Sequence, residues 1–252
     1  MESQSLAGRH AVVTGGGRGI GRAVAATLAR AGASVTVIGR DAAALEAVVR
    51  AGEAHRFAIA DVTDEAAVAR VFREVGGAVD ILVANAGGAV SKPFGRTAAA
   101  DFRSMWDLNL MGVVHAVQAV LPGMAERGRG RIVAVASTAG LKGYPYVAAY
   151  CAAKHAVVGL VRALAQETAR TGVTVNAVCP GFTDTDLVAT SIDRIVQKTG
   201  RGRNEAAAEL VRHNPQGRLV APAEVADAVL WLCRDGSASV TGQAIAVAGG
   251  EI

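Results

Sequence analysis

The sequence predicts an α/β protein built on one parallel sheet with helices on both faces, and three observations carry that prediction. Short β-rich runs alternate with helical stretches about six times along the 252 residues. The runs are continuously apolar rather than alternating, as strands covered on both faces are. No linker and no repeat at a period of roughly 20–50 residues interrupts the pattern. The expectation is a single domain over residues 1–252, a doubly wound sheet of about seven strands.

Each element has a local reason. Residues 11–14 are a short apolar run closed by glycines, and 19–31 follow as a helix with Ile20, Val24 and Leu28 spaced by four. Residues 34–38 form the next run, and Asp41 starts a second helix as its N-cap. Residues 57–59 are a short strand ending at Asp61, after which Thr63 or Asp64 caps a helix to about Val75. Residues 81–84 make a strand that ends in Asn85-Ala86-Gly87, followed by a long helix over 104–127 that Pro122 can bend. Residues 132–136 are a strand, 147–171 a long helix, and 173–178 a strand stopped by Pro180-Gly181. Pro222 opens the helix 222–233, where its fixed φ and missing N–H suit the first turn, and 243–247 is the last strand.

Residues 184–217 break the rhythm. Connections this long are functional or disordered, and this one follows the carboxyl end of a strand, where open α/β sheets bind ligands. It carries Arg194, Lys198, Arg201 and Arg203 and reads as a substrate lid of two short helices, although a solvated insertion has the same composition.

Composition limits the function. With 51% hydrophobic and 19% charged residues the chain is not of the disordered class. The net charge of +4 raises a nucleic-acid partner, but the charge is scattered and aromatics are only 4%, without the interleaving that strand binding uses. Cys151, Cys179 and Cys233 form no CxxC pair and no metal spacing. An odd cysteine count and no signal sequence at residues 1–5 fit a reducing compartment. No apolar run approaches ~18 residues. The expectation is a cytoplasmic protein with no metal, no membrane span and no nucleic-acid partner.

Two motifs carry chemistry. Thr14-Gly-Gly-Gly-Arg-Gly-Ile-Gly21 joins the first strand to the first helix. Such a turn lets backbone N–H groups approach a pyrophosphate at a helix N-terminus. The spacing is T-G-x-x-x-G-x-G, through Gly15, Gly19 and Gly21, rather than G-x-G-x-x-G. At the end of the second strand, where an acid would bind a ribose 2′-OH, stand Gly39 and Arg40. An arginine there can pair with a 2′-phosphate, and Arg18 in the glycine loop can reach the same group. NADP(H) is therefore favoured over NAD(H), which stays possible. Asp41, one residue late, is explained by the helix cap.

Tyr150 and Lys154 form the second motif, four apart on one helical face. A phenol has a pKa near ~10, and a nearby ammonium favours the phenolate, so such a tyrosine can serve as general acid or base. By itself the pair is common by chance. Tyr144 and Tyr146 have no lysine four residues on.

Ser137, thirteen residues before Tyr150, ends a strand. Together with the glycine loop, Asp61, Asn85-Ala86-Gly87, Asn109 and Pro180-Gly181, it gives an order and spacing that resemble the short-chain dehydrogenase/reductase family over essentially the whole chain, about residues 9–250. The resemblance implies a Rossmann-like fold. It implies Tyr150 as the proton donor to a carbonyl oxygen, Ser137 as the hydroxyl that hydrogen-bonds that oxygen, and Lys154 as the residue that lowers the Tyr pKa and holds the nicotinamide ribose. Asn109 is similar to the residue that positions a water in the proton relay. The cofactor contacts implied are Gly15, Gly17, Arg18, Gly19, Ile20 and Gly21 in the loop, Arg40, Asp61 and Val62 around the adenosine, Asn85, Ala86 and Gly87 along the cofactor, and Pro180, Gly181, Thr183 and Thr185 on the nicotinamide side. His155, Cys151 and Cys179 read as packing residues.

Within the family the long 184–217 segment resembles members that reduce 3-oxoacyl thioesters or polyketides, and 3-hydroxybutyrate dehydrogenases, which residues 152–159 also resemble. A free short acid needs cations around the site, and the matching positions Ala89, Ala139 and Val147 are apolar; an unpaired buried carboxylate is costly. Lys142 is the residue that could replace the missing charge. The reading favoured is reduction of a 3-oxoacyl thioester or polyketide ketone, with the carrier being coenzyme A or an acyl-carrier protein met by the basic lid. The alternatives are NAD-dependent oxidation of a 3-hydroxyacyl or other secondary alcohol, and, of another class, a non-catalytic NADP-binding regulator. The helices at 104–127 and 147–171, apolar on more than one face, suggest a homotetramer or dimer.

Overall fold

The computed structural model describes residues 5–200, 202–212 and 214–252. Seven parallel strands form one sheet in the order β3-β2-β1-β4-β5-β6-β7. They are β1 (His10–Thr14), β2 (Ser34–Gly39), β3 (Arg56–Ile59), β4 (Ile81–Ala84), β5 (Gly130–Val135), β6 (Val173–Pro180) and β7 (Ala244–Val247). The chain runs outward from β1 to β3, then returns to place β4 on the other side of β1. That reversal opens a crevice at the carboxyl ends of β1 and β4.

Successive side chains in each strand point to opposite faces, and both faces are dry. Val12, Leu82, Ile132 and Val175 pack with Val117, Val120 and Val157 in one layer. Val13, Val37, Val83 and Val133 pack with Val24, Leu28 and Val229 in the other. The helices supplying these layers are α1 (Gly19–Arg30), α2 (Ala42–Arg50), α3 (Glu65–Glu74), α4 (Ala99–Trp106), α5 (Gly112–Glu126), α6 (Ala148–Thr168) and, after α7 (Asp186–Thr199) and α8 (Arg203–Val211), α9 (Pro222–Cys233). The cap expectations hold at two helices: Asp41 accepts from the Ala44 amide at 3.1 Å and Asp64 from that of Ala67 at 3.0 Å.

Two expectations are corrected. The helix expected over 104–127 begins earlier, at Ala99, and is not one α-helix, since a π-helical turn, Asp107–Met111, separates α4 from α5. No periodicity argument anticipates it. The expectation that no segment is long and apolar enough for a membrane also fails on length and composition alone: Ala99–Glu126 and Ala148–Thr168 qualify. Half of the first segment's apolar window and 44% of the second's are buried inside the fold. The 184–217 segment does hold two helices, α7 and α8, packed around Val188, Ile192 and Ala206.

Candidate active site

The glycine loop sits in the crevice between β1 and β4. Its shape is set by close approach: a Cβ on Gly21 would lie 2.2 Å from the Gly15 carbonyl oxygen and 2.5 Å from Asn85 Nδ2. Gly15 has φ +65°, which a side chain would strain. Arg18, the residue before α1, makes no side-chain cap, and the first turn of α1 holds no acid. The N-terminus of α1 is therefore left for an outside anion, with the glycines giving the backbone room to reach it.

Thr14 and Asn85 lock the two strand ends together. The buried Thr14 hydroxyl accepts from the amides of Asn85 at 3.0 Å and Ala86 at 3.1 Å. Asn85 Nδ2 donates to the carbonyls of Thr14 and Gly15, each at 3.1 Å. The Asn85 side chain is thus turned into the protein, and the surface of this stretch is left to Ala86 and Gly87. Sequence reading assigned Thr14 no role, although it opens the loop motif.

On the other flank, Arg18 pairs with Asp41, and Arg40 with Asp61 at 3.4 Å. Both arginine side chains are largely exposed. Asp61 also accepts from the Thr63 amide and hydroxyl, and this contact holds its carboxyl below the usual range. Val62 is buried, its carbonyl 2.9 Å from His115 Nδ1 on α5.

Ser137 follows β5, while Tyr150 and Lys154 lie one turn apart in the first two turns of α6. Lys154 is buried, and its Nζ donates to the Val135 carbonyl at 2.8 Å and lies 5.7 Å from the centre of the Tyr150 ring. Burial pushes the Tyr150 phenol up to about 12, with the Ser137 hydroxyl pulling the other way. Burial also pulls Lys154 down to about 8. Both directions have one main cause, since loss of hydration disfavours the phenolate and the ammonium alike.

Asn109, fully buried, occupies the π-turn. Its Nδ2 donates to the carbonyls of Gly88 and Met105 at 3.0 Å, and its Oδ1 accepts from the Gly88 amide at 3.2 Å. A Cβ on Gly87 would stand 2.8 Å from Asn109 Oδ1 and 3.6 Å from Lys154 Nζ, so these three residues share one wall. π-turns occur frequently at functional sites.

After β6 the Gly181 amide donates to Val247 at 3.0 Å, and the buried Thr183 hydroxyl to the Gly181 carbonyl at 3.0 Å. Thr183 bridges Val220, which ties the root of the 184–217 segment to the stretch just before α9. Thr185 precedes α7, with its Cγ2 3.1 Å from where a Cβ on Gly19 would stand. The segment carries five acids and five bases, and Arg203 pairs with Asp193 and Arg212 with Glu209. The expected basic cluster is thus charge-balanced in sequence, and two of its arginines pair with acids of the same segment. Arg194 is exposed, while Arg201 and the side chain of Lys198 lie outside the described residues.

One group escaped the sequence reading altogether. Glu251, after β7, has a side chain only 1% exposed. It meets Lys142 Nζ at 3.1 Å and the Tyr144 hydroxyl at 2.7 Å. The Tyr144 oxygen also lies 2.7 Å from Thr138 Oγ1, beside Ser137. Burial, and next the carboxylate, raise the Tyr144 phenol. Nothing in the local sequence marks a penultimate acid as part of a cluster at the ends of β5 and β6. The three cysteines are buried; desolvation raises Cys179 to about 11 and Cys233 to about 12, as expected of packing thiols.

A crevice at the β1/β4 reversal, a glycine loop opening α1, and a partly buried tyrosine beside a buried lysine and a strand-end serine define a dinucleotide-dependent oxidoreductase site on a doubly wound sheet. The chain belongs to the short chain dehydrogenase family, whose model matches residues 9–195. It is 39% identical to the D-beta-hydroxybutyrate dehydrogenase of Cupriavidus necator, over 94% of this chain and 95% of the relative. It is 34% identical to the 3-oxoacyl-acyl-carrier-protein reductase of Escherichia coli, over 96% and 97%. Among solved structures it resembles an actinorhodin polyketide ketoreductase crystallised with NADPH, at 37% identity and TM-score 0.92 over 100% of this chain and 99% of that one. The protein is therefore an oxidoreductase acting on CH–OH or keto groups.

Proposed function

We propose that the protein reduces a ketone to a secondary alcohol with NADP(H), and that the ketone is uncharged around its carbonyl, as in a 3-oxoacyl thioester or polyketide. The observation that carries the reading is the convergence of Ser137, Tyr150 and Lys154 beside the glycine loop. The nicotinamide, when bound, supplies the hydride, and the protein supplies orientation and a proton. Tyr150, protonated at every physiological pH, donates to the carbonyl oxygen, and Ser137 hydrogen-bonds that oxygen. Lys154 spends one N–H on Val135 and keeps two for a ligand hydroxyl. Asn109 spends its amide on Gly88 and Met105, so it acts by fixing the wall beside Gly87. Gly15, Gly17, Gly19, Ile20 and Gly21 would hold the pyrophosphate at α1, Ala86, Gly87, Pro180, Gly181, Thr183 and Thr185 would line the cofactor, and Asp61 and Val62 would flank the adenine.

The cofactor choice rests on Arg18 and Arg40. Their carboxylate partners are exposed, and such pairs contribute little (~0–1 kcal/mol), so a 2′-phosphate can displace them. The substrate choice rests on the apolar Ala139, Ala89 and Val147, and carriage on coenzyme A or an acyl-carrier protein remains part of the proposal. Tyr150→Phe tests the assignment. Turnover of a β-keto ester with NADPH should fall on the order of 10²–10⁴-fold, and unchanged turnover overturns it.

A further inference from the structure

Near Ser137, Lys142 is a cation among the described residues that could receive an acidic substrate, and the fold answers it from the far end of the chain. After β7, Gly249 (φ +62°) and Gly250 (φ +91°) turn the backbone through conformations that side chains rarely adopt. This delivers Glu251 between the ends of β5 and β6. Its Oε2 lies 3.2 Å from where a Cβ on Gly181 would stand. Its Oε1 faces Lys142 Nζ at 3.1 Å and accepts the Tyr144 hydroxyl proton at 2.7 Å. Thr138 completes the cluster by donating to the Tyr144 oxygen, and Phe182 meets the Tyr144 ring edge-on, 6.0 Å between centroids. Lys142 Nζ stands 5.1 Å from the centre of that ring.

A buried carboxylate needs a charged or donating partner, and Glu251 has both. Conversely, the positive charge of Lys142 is already matched. A substrate carboxylate entering beside Ser137 would meet a neutral ion pair with an acid on its inner side, not a free ammonium. We infer that Glu251 is a specificity-determining residue: by holding Lys142 and Tyr144 it makes the substrate pocket select uncharged β-keto compounds and reject β-keto acids. The inference rests on the ketone-reductase reading and deepens it. Here selectivity comes from a repulsive element rather than from an added contact.

The test compares acetoacetate with its ethyl ester under saturating NADPH, for the parent, Glu251→Gln, and Glu251→Gln combined with Lys142→Met. The parent should favour the ester. Glu251→Gln should shift the ratio of kcat/KM toward the acid by about tenfold or more, chiefly through KM for acetoacetate. The double variant should lose that gain, since the freed cation is gone. A ratio unchanged in Glu251→Gln, or a gain kept in the double variant, overturns the inference. Lys142→Met alone serves if Glu251→Gln does not fold: it exposes the acid unmatched and should push the ratio further toward the ester, so a shift toward the acid also overturns it. A parent that reduces neither compound, nor any other β-keto ester, overturns the reductase reading itself. A parent that reduces the ester while the ratios stay fixed overturns only the role of Glu251.

Discussion

The methyl carbon of Thr185 lies 3.1 Å from the point where a side chain on Gly19 would begin. The loop that opens α1 and the residue that opens α7 are therefore in contact, although they are far apart in sequence. Gly19→Ala places a methyl against Thr185 and imposes a side chain at φ +51°. Stability should fall by roughly 1 kcal/mol from the strained backbone, and the affinity for NADPH should fall with it. Fluorescence titration of NADPH reads the second effect, and Thr185→Gly should recover part of it by removing the contact.

Lys154 gives a pH dependence of defined sign. Its ammonium is lowered to about 8 in the folded chain against 10.5 when free. Below about pH 8 both states hold the proton and the fold carries the full cost of burying it. Between about 8 and 10.5 the unfolded chain binds more protons, so this group's contribution to stability rises with pH. Melting temperatures from pH 8 to 10 should rise more in the parent than in Lys154→Met.

The same group shapes the rate. Tyr150 stays protonated up to about 12, so it does not limit ketone reduction near neutral pH. The kcat/KM for reduction should fall as pH rises through about 8, where Lys154 loses its charge. In Lys154→Arg, which keeps its charge, the residual activity should lack that descending limb; a limb that persists assigns it elsewhere.

Arg40 and Arg18 separate the two cofactors. Arg40→Asp places two acids, with Asp61, where a 2′-phosphate would sit, and should lower the NADPH-to-NADH preference by an order of magnitude or more. Equal preference in parent and variant removes Arg40 from the phosphate site.

Thr14 is a structural tie with a functional address. Thr14→Val removes the acceptor for the part-buried Asn85 and Ala86 amides at 3.0 and 3.1 Å. The cost should be about 1–3 kcal/mol. For a chain of this size that is a drop of a few degrees in Tm, measured by calorimetry.

The strands were legible because their apolar runs and glycine stops are local signals: residues 81–84 were placed without error, and 34–38 missed only Gly39. Asp41 and Asp64 announced their helices for the same reason. Tyr150, Lys154 and Ser137 stand out through the family's order and spacing, since the Tyr-Lys pair alone is common by chance. The tail acid Glu251 was invisible because its partners Lys142 and Tyr144 are more than a hundred residues away in sequence. The desolvation of Tyr150 and Lys154 is not legible in the sequence, because spacing reports a neighbouring charge but not the loss of water around both groups. The basic lid was misjudged because its arginines were read without Asp193 and Glu209.

The π-turn at Asp107–Met111 has a consequence for how this helix tolerates change in length. A wide turn holds one more residue than an α-turn, which rotates α4 by about 100° relative to α5. The side of α4 that packs Met105 against Ala149 and Ala153 and the side of α5 that packs Val113 and Val117 on the sheet are in step only because of that surplus residue. Deleting one residue between 107 and 111 would yield a more regular helix and a worse protein, because α4 would rotate off α6 and Asn109 would leave Gly88. The irregularity is thus a spacer in angle rather than in length, and it ties the seating of one helix to the placement of a single amide.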